Sequence, residues 1–201
     1  MDLVVVALTF GAIFVVELPD KTFIATLVLS TKFRPLLVWI GVGLAFAVQT
    51  LVAVGLGKVA GLLPDDLVHV ATALMFLIGA AILLRTAGSA DEEEAESESE
   101  YAAKVRPGSA GTLAAVGTSF LVLFAAEWGD LSQLLTLSLV AKYDDPVSVF
   151  IGAWGALLTV SGLAVIVGRI LLNHVRLSVL HYVGASVCVL MAALTIWEMT
   201  R

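Results

Sequence analysis

Cysteine is all but missing from this chain: Cys188 is the only one in 201 residues. A lone thiol forms neither an internal disulfide nor a thiolate metal cluster, so sulfur staples and zinc-type sulfur sites are excluded. Histidine is nearly as scarce. His69, His174 and His181 all fall near the ends of apolar runs, where interfacial or packing roles are expected. Met1-Asp2-Leu3 lacks a basic region, and no small-residue cleavage site leads into a soluble stretch. The first apolar run is therefore expected to be a retained helix rather than a signal peptide. Charge is sparse outside one stretch. The net charge of −6 arises because residues 91–100 carry seven acids, while ten acids face eleven Lys/Arg elsewhere. The acidic balance thus reports one loop, expected to be a solvated tether, and gives no reason to expect a nucleic-acid partner.

What is abundant is apolar sequence: 60% of residues are hydrophobic and the mean hydropathy is +1.02. Soluble domains hold roughly 45–50% apolar residues, and runs of about 18 or more mark membrane-spanning helices. Six such segments can be delimited, at Leu3–Ser30, Leu36–Gly57, Leu67–Ala87, Thr112–Ala141, Val147–Gly168 and Ser178–Trp197. The expected fold is an all-α membrane protein of six transmembrane helices arranged as two three-helix repeats. Residues 1–87 form the first repeat, 88–111 the acidic linker and 112–201 the second. Trp39 is read as an interfacial anchor.

The repeats share more than hydropathy. Phe14–Phe23 reads F-V-V-E-L-P-D-K-T-F and Phe124–Gln133 reads F-A-A-E-W-G-D-L-S-Q, with Glu17, Asp20, Thr22 and Thr26 falling 110 residues before Glu127, Asp130, Ser132 and Thr136. Gly41 matches Gly152, and Gly57-Lys58 matches Gly168-Arg169, at a shift of 111. Three crossings per repeat would set the second copy upside down relative to the first, an arrangement common among secondary transporters. Loops after segments one, three and five hold Lys32, Arg34, Arg85, Lys104, Arg106, Arg169 and Arg176, against Lys58, Lys142 and Arg201 on the other side. The positive-inside rule then puts both termini outside and the linker in the cytoplasm of a bacterial cell.

A charged side chain at the bilayer centre costs roughly 2.5–3.5 kcal/mol on insertion scales, so four acids left unpaired cost on the order of 10 kcal/mol. That is comparable with the whole stability of a typical protein. Glu17 and Asp20 lie three apart, as do Glu127 and Asp130, which on a continuous helix puts each pair on one face. Two such helices crossing near their centres bring all four together. Lys21 is the one base nearby, expected to form a salt bridge with Glu17; its counterpart is Leu131. One lysine cannot neutralise four acids, which suits a divalent cation. Oxygen-only donors favour hard ions such as Ca²⁺, Mn²⁺ and Mg²⁺. Thr22, Ser132 and Gln133 are candidate neutral oxygen ligands. A break at Pro19 would free the Val15 and Val16 carbonyls; Gly129 permits the same bend. Gln49, with Thr159 and Ser161, is a candidate for surrounding support. Protons compete with metal for the same carboxylates, so exchange of a cation for protons needs no further machinery.

At these residues the chain resembles the transmembrane-protein-165 family, Golgi and bacterial cation transporters marked by two copies of E-x-G-D-[K/R]-[S/T]. The resemblance covers nearly the whole chain. It implies six helices in an inverted three-plus-three repeat, an acidic central cytoplasmic loop, and Mn²⁺ or Ca²⁺ carried in exchange for protons, with no resident cofactor. The metal ligands it implies are Glu17, Asp20, Glu127 and Asp130. Pro19 stands where the family has glycine and Leu131 where it has a basic residue. Two rival readings are weaker. An amino-acid or other small-solute exporter would use Lys21 to meet a carboxylate, but the surplus of acids does not suit a zwitterion. An intramembrane aspartyl protease would use Asp20 and Asp130 as a dyad and leave Glu17 and Glu127 unexplained. A monomer suffices to enclose the site.

Overall fold

The computed structural model describes residues 1–18, 20–104, 111–174 and 177–199. Pro19, Arg106, Arg176 and Arg201 lie outside the described residues, as do the side chains of Lys104, Arg169 and His174. Every regular element among the described residues is an α-helix: α1 Leu3–Glu17, α2 Lys21–Lys32, α3 Pro35–Ala60, α4 Asp65–Thr86, α5 Ala90–Lys104, α6 Thr112–Ala126, α7 Leu131–Tyr143, α8 Pro146–His174 and α9 Leu177–Met199. Four stretches, within α3, α4, α8 and α9, are each long and apolar enough to cross a membrane, and the pairs α1–α2 and α6–α7 qualify when each is taken as one bent span.

The first and fourth apolar segments are therefore not single rods. Chain direction turns by 72° between α1 and α2 and by 74° between α6 and α7. The breaks have local causes. At the second, Gly129 adopts φ +83°, a left-handed conformation that side-chain-bearing residues rarely accept. At both, an aspartate restarts the helix: the Asp20 carboxylate accepts the Thr22 N–H at 3.3 Å, and the Asp130 carboxylate accepts the Ser132 N–H at 3.0 Å. These are N-caps, which satisfy amide donors that have no intrahelical partner. Pro35 and Pro146 open α3 and α8, where the missing N–H costs nothing.

The two halves exchange partners. Gly41 on α3 lies so close to α6 that an added Cβ would sit 2.4 Å from the Val116 carbonyl oxygen and 2.9 Å from Ser119 Cβ. Gly152 on α8 meets α1 in the same way, 2.6 Å from the Val6 carbonyl oxygen and 2.8 Å from Thr9 Cβ. Val6 and Thr9 are the residues 110 before Val116 and Ser119, so one crossing is built twice. Stacked rings repeat as well, Phe10 on Phe14 and Phe120 on Phe124 at 5.7 and 5.4 Å. Around this frame α4 packs on α9. Leu36, Ile40, Leu44, Leu51 and Leu56 of α3 are exposed, and so are Leu67, Leu74 and Ile82 of α4, as expected of faces turned to lipid.

Two expectations need correcting. The acidic linker is not a loose tether across 90–104, where it forms α5. That helix packs on α2 and α9 and buries Ala90, Ser97 and Tyr101. Glu96, Ser99 and Glu100 are exposed on it. The Trp39 indole N–H donates to the Leu158 carbonyl of α8 at 3.0 Å. The paired acids do not share one helix face, because each pair straddles a break.

The glycine crossings give a direct test. Gly152→Val is expected to lose about 1–3 kcal/mol by overpacking. Gly117→Ala, where an added Cβ meets nothing within 4 Å, is expected to be neutral or slightly stabilising. Thermal unfolding in detergent, read for both, checks the contrast.

Candidate metal centre

Glu17 is the last residue of α1, and Glu127 follows the last residue of α6 as its C-cap. Both side chains are buried, at 1% and 2% exposure. Asp20 and Asp130 open α2 and α7. Ending two helices and starting two more at one level puts four carboxylates at four helix termini. Three of them, Glu17, Glu127 and Asp130, each offer an oxygen within 4.8 Å of the other two. Asp20 is not one of those three; its oxygen is occupied as the cap of α2 and lies 3.2 Å from the Thr22 hydroxyl.

Neighbouring hydroxyls lean on this cluster. Thr22 Oγ1 is 3.3 Å from Glu17 Oε2, and the Ser132 hydroxyl lies beside the same carboxylate across the repeat boundary. Glu17 Oε1 is buried with no hydrogen-bond partner. A buried carboxylate oxygen without a donor is costly, and a single cation could serve all three acids at once.

Other supporting residues are arranged differently from expectation. Lys21 forms no salt bridge with Glu17: the break turns it away, and it is exposed as the first residue of α2. Leu131, its counterpart, packs toward Gly79 of α4 and Cys188 of α9, within about 3.5 Å of where a Cβ on Gly79 would sit. A basic residue there would face an apolar seam. Gln133 does not direct its oxygen to the carboxylates, because Oε1 accepts the Gly129 N–H at 3.2 Å and so braces the break. Gln49 is buried, and its Nε2 donates to the Phe124 carbonyl of α6 at 2.9 Å. Thr159 and Ser161 belong to another neighbourhood. Their hydroxyls return to their own helix, at the Gly155 and Leu158 carbonyls. The Val15 carbonyl approaches Gly184 of α9, 3.3 Å from where a Cβ would sit.

Tyr101 of α5 is a neighbour that spacing in the sequence could not reveal. Burial, then the charges of Asp20 and Glu127, push its phenol up to about 12. Its side chain is only 7% exposed. The acidic helix therefore reaches the carboxylate centre through one aromatic residue on its inner face.

Similarity to known proteins bears on what such a centre is for. The family model described as divalent cation/proton antiporter GDT1 matches the chain twice, over residues 5–91 and 115–201. The chain belongs to the GDT1 family. The two matches start 110 residues apart, the shift that relates the two acidic motifs, and the family is the one to which the sequence resemblance pointed. The family is described as one of antiporters rather than proteases, which counts against the protease reading. Among relatives, GDT1-like protein 1, chloroplastic, of Oryza sativa subsp. indica is 31% identical over 97% of this chain and 62% of its own length. Protein PAM71, chloroplastic, of Arabidopsis thaliana is 32% identical over 96% of this chain and 56% of its own. A Vibrio cholerae protein named as a manganese exporter is 27% identical over 95% of this chain and 90% of its own. The chain thus spans about three-fifths of the plant relatives and most of the bacterial one. No solved structure matches it.

The position of Tyr101 has a measurable consequence. With Tyr143 and Tyr182 replaced by Phe, ultraviolet titration is expected to show Tyr101 ionising near pH 12 rather than at the ordinary 10.0. Asp20→Asn should move that midpoint down. Because folding opposes ionisation of this phenol, stability falls as pH rises through the window between those two values.

Proposed function

We propose that this chain is a secondary transporter of divalent cations, Mn²⁺ and/or Ca²⁺, exchanging them for protons at a midplane site. The observation that carries the reading is the Glu17–Glu127–Asp130 cluster, three carboxylate oxygens within 4.8 Å of one another, with one Glu17 oxygen lacking any hydrogen-bond partner. Hard oxygen donors without nitrogen or sulfur select this class of ion. The name of the Vibrio cholerae relative favours manganese as one cargo. Protons serve as counter-ions because the oxygens that hold the metal must carry protons, or some other cation, once it leaves.

In this reading each bent pair counts as one span, giving six spans in two repeats of opposite orientation. The loop charges put both termini outside and α5 in the cytoplasm. The site lies between four half-helix ends, two ending and two beginning there, the arrangement that transporters with inverted repeats use to reach a midplane ion from either side. An inward proton gradient across a bacterial membrane then drives metal out. Asp20 contributes through its cap on α2 and its charge beside Asp130, and a single chain suffices to form the site.

The test is proton movement in reconstituted vesicles carrying a pH dye, with Mn²⁺, Ca²⁺ and Mg²⁺ added in turn. Mn²⁺ or Ca²⁺ should drive proton flux. Glu17→Gln, Glu127→Gln and Asp130→Asn should each cut it by more than the roughly 10–100-fold typical of losing a group that only supports a metal ligand. Lys21→Met should change metal affinity by less than about fivefold, the most that an exposed charge usually contributes. Absence of metal binding by the unaltered protein would overturn the reading.

A further inference from the structure

The two repeats converge on one carboxylate cluster, but the two flanks of that cluster differ at two glutamine positions. Beside Glu127, between α3 and α7, lies a cavity of about 10 Å³ bordered by Gln49, Thr50, Ser132, Gln133 and Thr136. That is room for the centre of a single water, and a lone internal water needs two to four polar partners of this kind. Gln133 Nε2 is buried beside it with no hydrogen-bond partner. Applying the shifts that relate the repeats, Gln133 corresponds to Phe23, Gln49 to Val160 and Ala53 to Ala164. Those three equivalents form a separate buried apolar cluster, with Phe14, Leu18 and Leu163 packed against it. Thr50, Ser132 and Thr136 keep polar counterparts in Ser161, Thr22 and Thr26, so the difference lies at Gln49 and Gln133, where the first repeat places the bulkier or apolar Val160 and Phe23 in its packed cluster.

From this we infer that the cavity beside Glu127 holds one ordered water, fixed by the Gln133 amide and its polar neighbours, with no equivalent on the Glu17 side. Gln49 and Gln133 are then positioning residues. They keep a water against Glu127 that serves the transported cation as a neutral ligand, so the ion meets protein oxygens from the first repeat and protein plus water from the second. Gln133 suits the task because its oxygen is already held by the Gly129 N–H, which leaves its amino group to donate. Gln133 and Ala53 also border a larger, mainly apolar crevice of about 250 Å³ between α3 and α7. The side chain thus separates the water from the outer crevice.

The ligand role rests on the metal-exchange reading above, whereas the presence of the water does not, and the experiment separates the two. Metal-free protein is exposed to short X-ray pulses, and side-chain oxidation by radicals from ordered internal water is read by mass spectrometry. Phe46 and Leu157, which border the cavity, should be labelled severalfold more than the apolar-side residues Phe23 and Val160, in the same wild-type sample. Equal labelling of the two sets would overturn the inference without any variant. Gln133→Phe and Gln49→Val, which copy the residues of the first repeat, should abolish the excess. With Mn²⁺ bound, oxygen-17 broadening of its electron spin resonance should report one fewer water in Gln133→Phe than in the wild type. An unchanged count would overturn the ligand role. A wild type that shows the labelling contrast yet binds no Mn²⁺ would sink the exchange reading and leave the water in place.

Discussion

Mutual repulsion of carboxylates in a poor dielectric is the constraint that the rest of this structure answers. Two charges 4.8 Å apart repel by roughly 3 kcal/mol even at an effective dielectric of 20, and Glu17, Glu127 and Asp130 make three such pairs. Among the described residues no cationic side chain relieves them: Lys21 is turned outward and the matching position is Leu131. Among the described residues the fold concentrates negative charge apart from counter-charge, which is the arrangement that the proposed cation site calls for. A structural polar network would be built the other way, with each acid matched to a donor.

Holding such a centre together requires a frame that does not relax. The exchanged glycine crossings provide it, because backbone-to-backbone approach at Gly41 and Gly152 locks each long helix onto the first half-helix of the opposite repeat. Within a membrane, close packing of small residues is among the main forces available for helix association. The long helices also carry the polar support. Gln49 of α3 reaches the Phe124 carbonyl, just one turn before the break that presents Glu127. The breaks themselves are stabilised locally, by an aspartate cap at each and by the Gln133–Gly129 hydrogen bond at the second.

Much of this was written in the sequence in a form that could be read. The 110-residue shift related the two motifs, the apolar runs marked six segments, and the surplus of acids over bases pointed to a cation. What periodicity misjudged was the break. Glu-x-x-Asp read as one helix face assumes continuous hydrogen bonding, and a capping aspartate two residues before Thr22 or Ser132 signals the opposite. Once the helix restarts at Lys21, that lysine points elsewhere and its expected partner is out of reach. The acidic linker misled for another reason. Its charge hid a sparse inner face of Ala90, Ser97 and Tyr101, too few apolar residues for composition to reveal but enough to dock a helix. Thr159 and Ser161 could not be assigned from spacing, because a hydroxyl on a helix can always turn back to its own backbone.

Symmetry in the frame and asymmetry around the site are therefore two different products of one duplication. Packing positions such as Gly41 and Gly152, or Phe10 and Phe120, stayed alike because both crossings must close to the same distance. Positions lining the approaches to the cluster were free to diverge, and they did: Phe23 against Gln133, Val160 against Gln49, an exposed Lys21 against a half-buried Leu131. Even the ends of α2 and α7 differ. Lys142 is buried and held by Glu198 at 2.8 Å and Thr195 at 2.9 Å on α9, whereas its counterpart Lys32 is exposed. On one flank α5 lies against α2 and brings Tyr101 to the acids; on the other, α7 is tied to α9. Under the proposed exchange, a centre reached in turn from two compartments of different composition would have no need of identical surroundings. The symmetric frame would fix the ion's position, and the unequal flanks would give each approach its own chemistry.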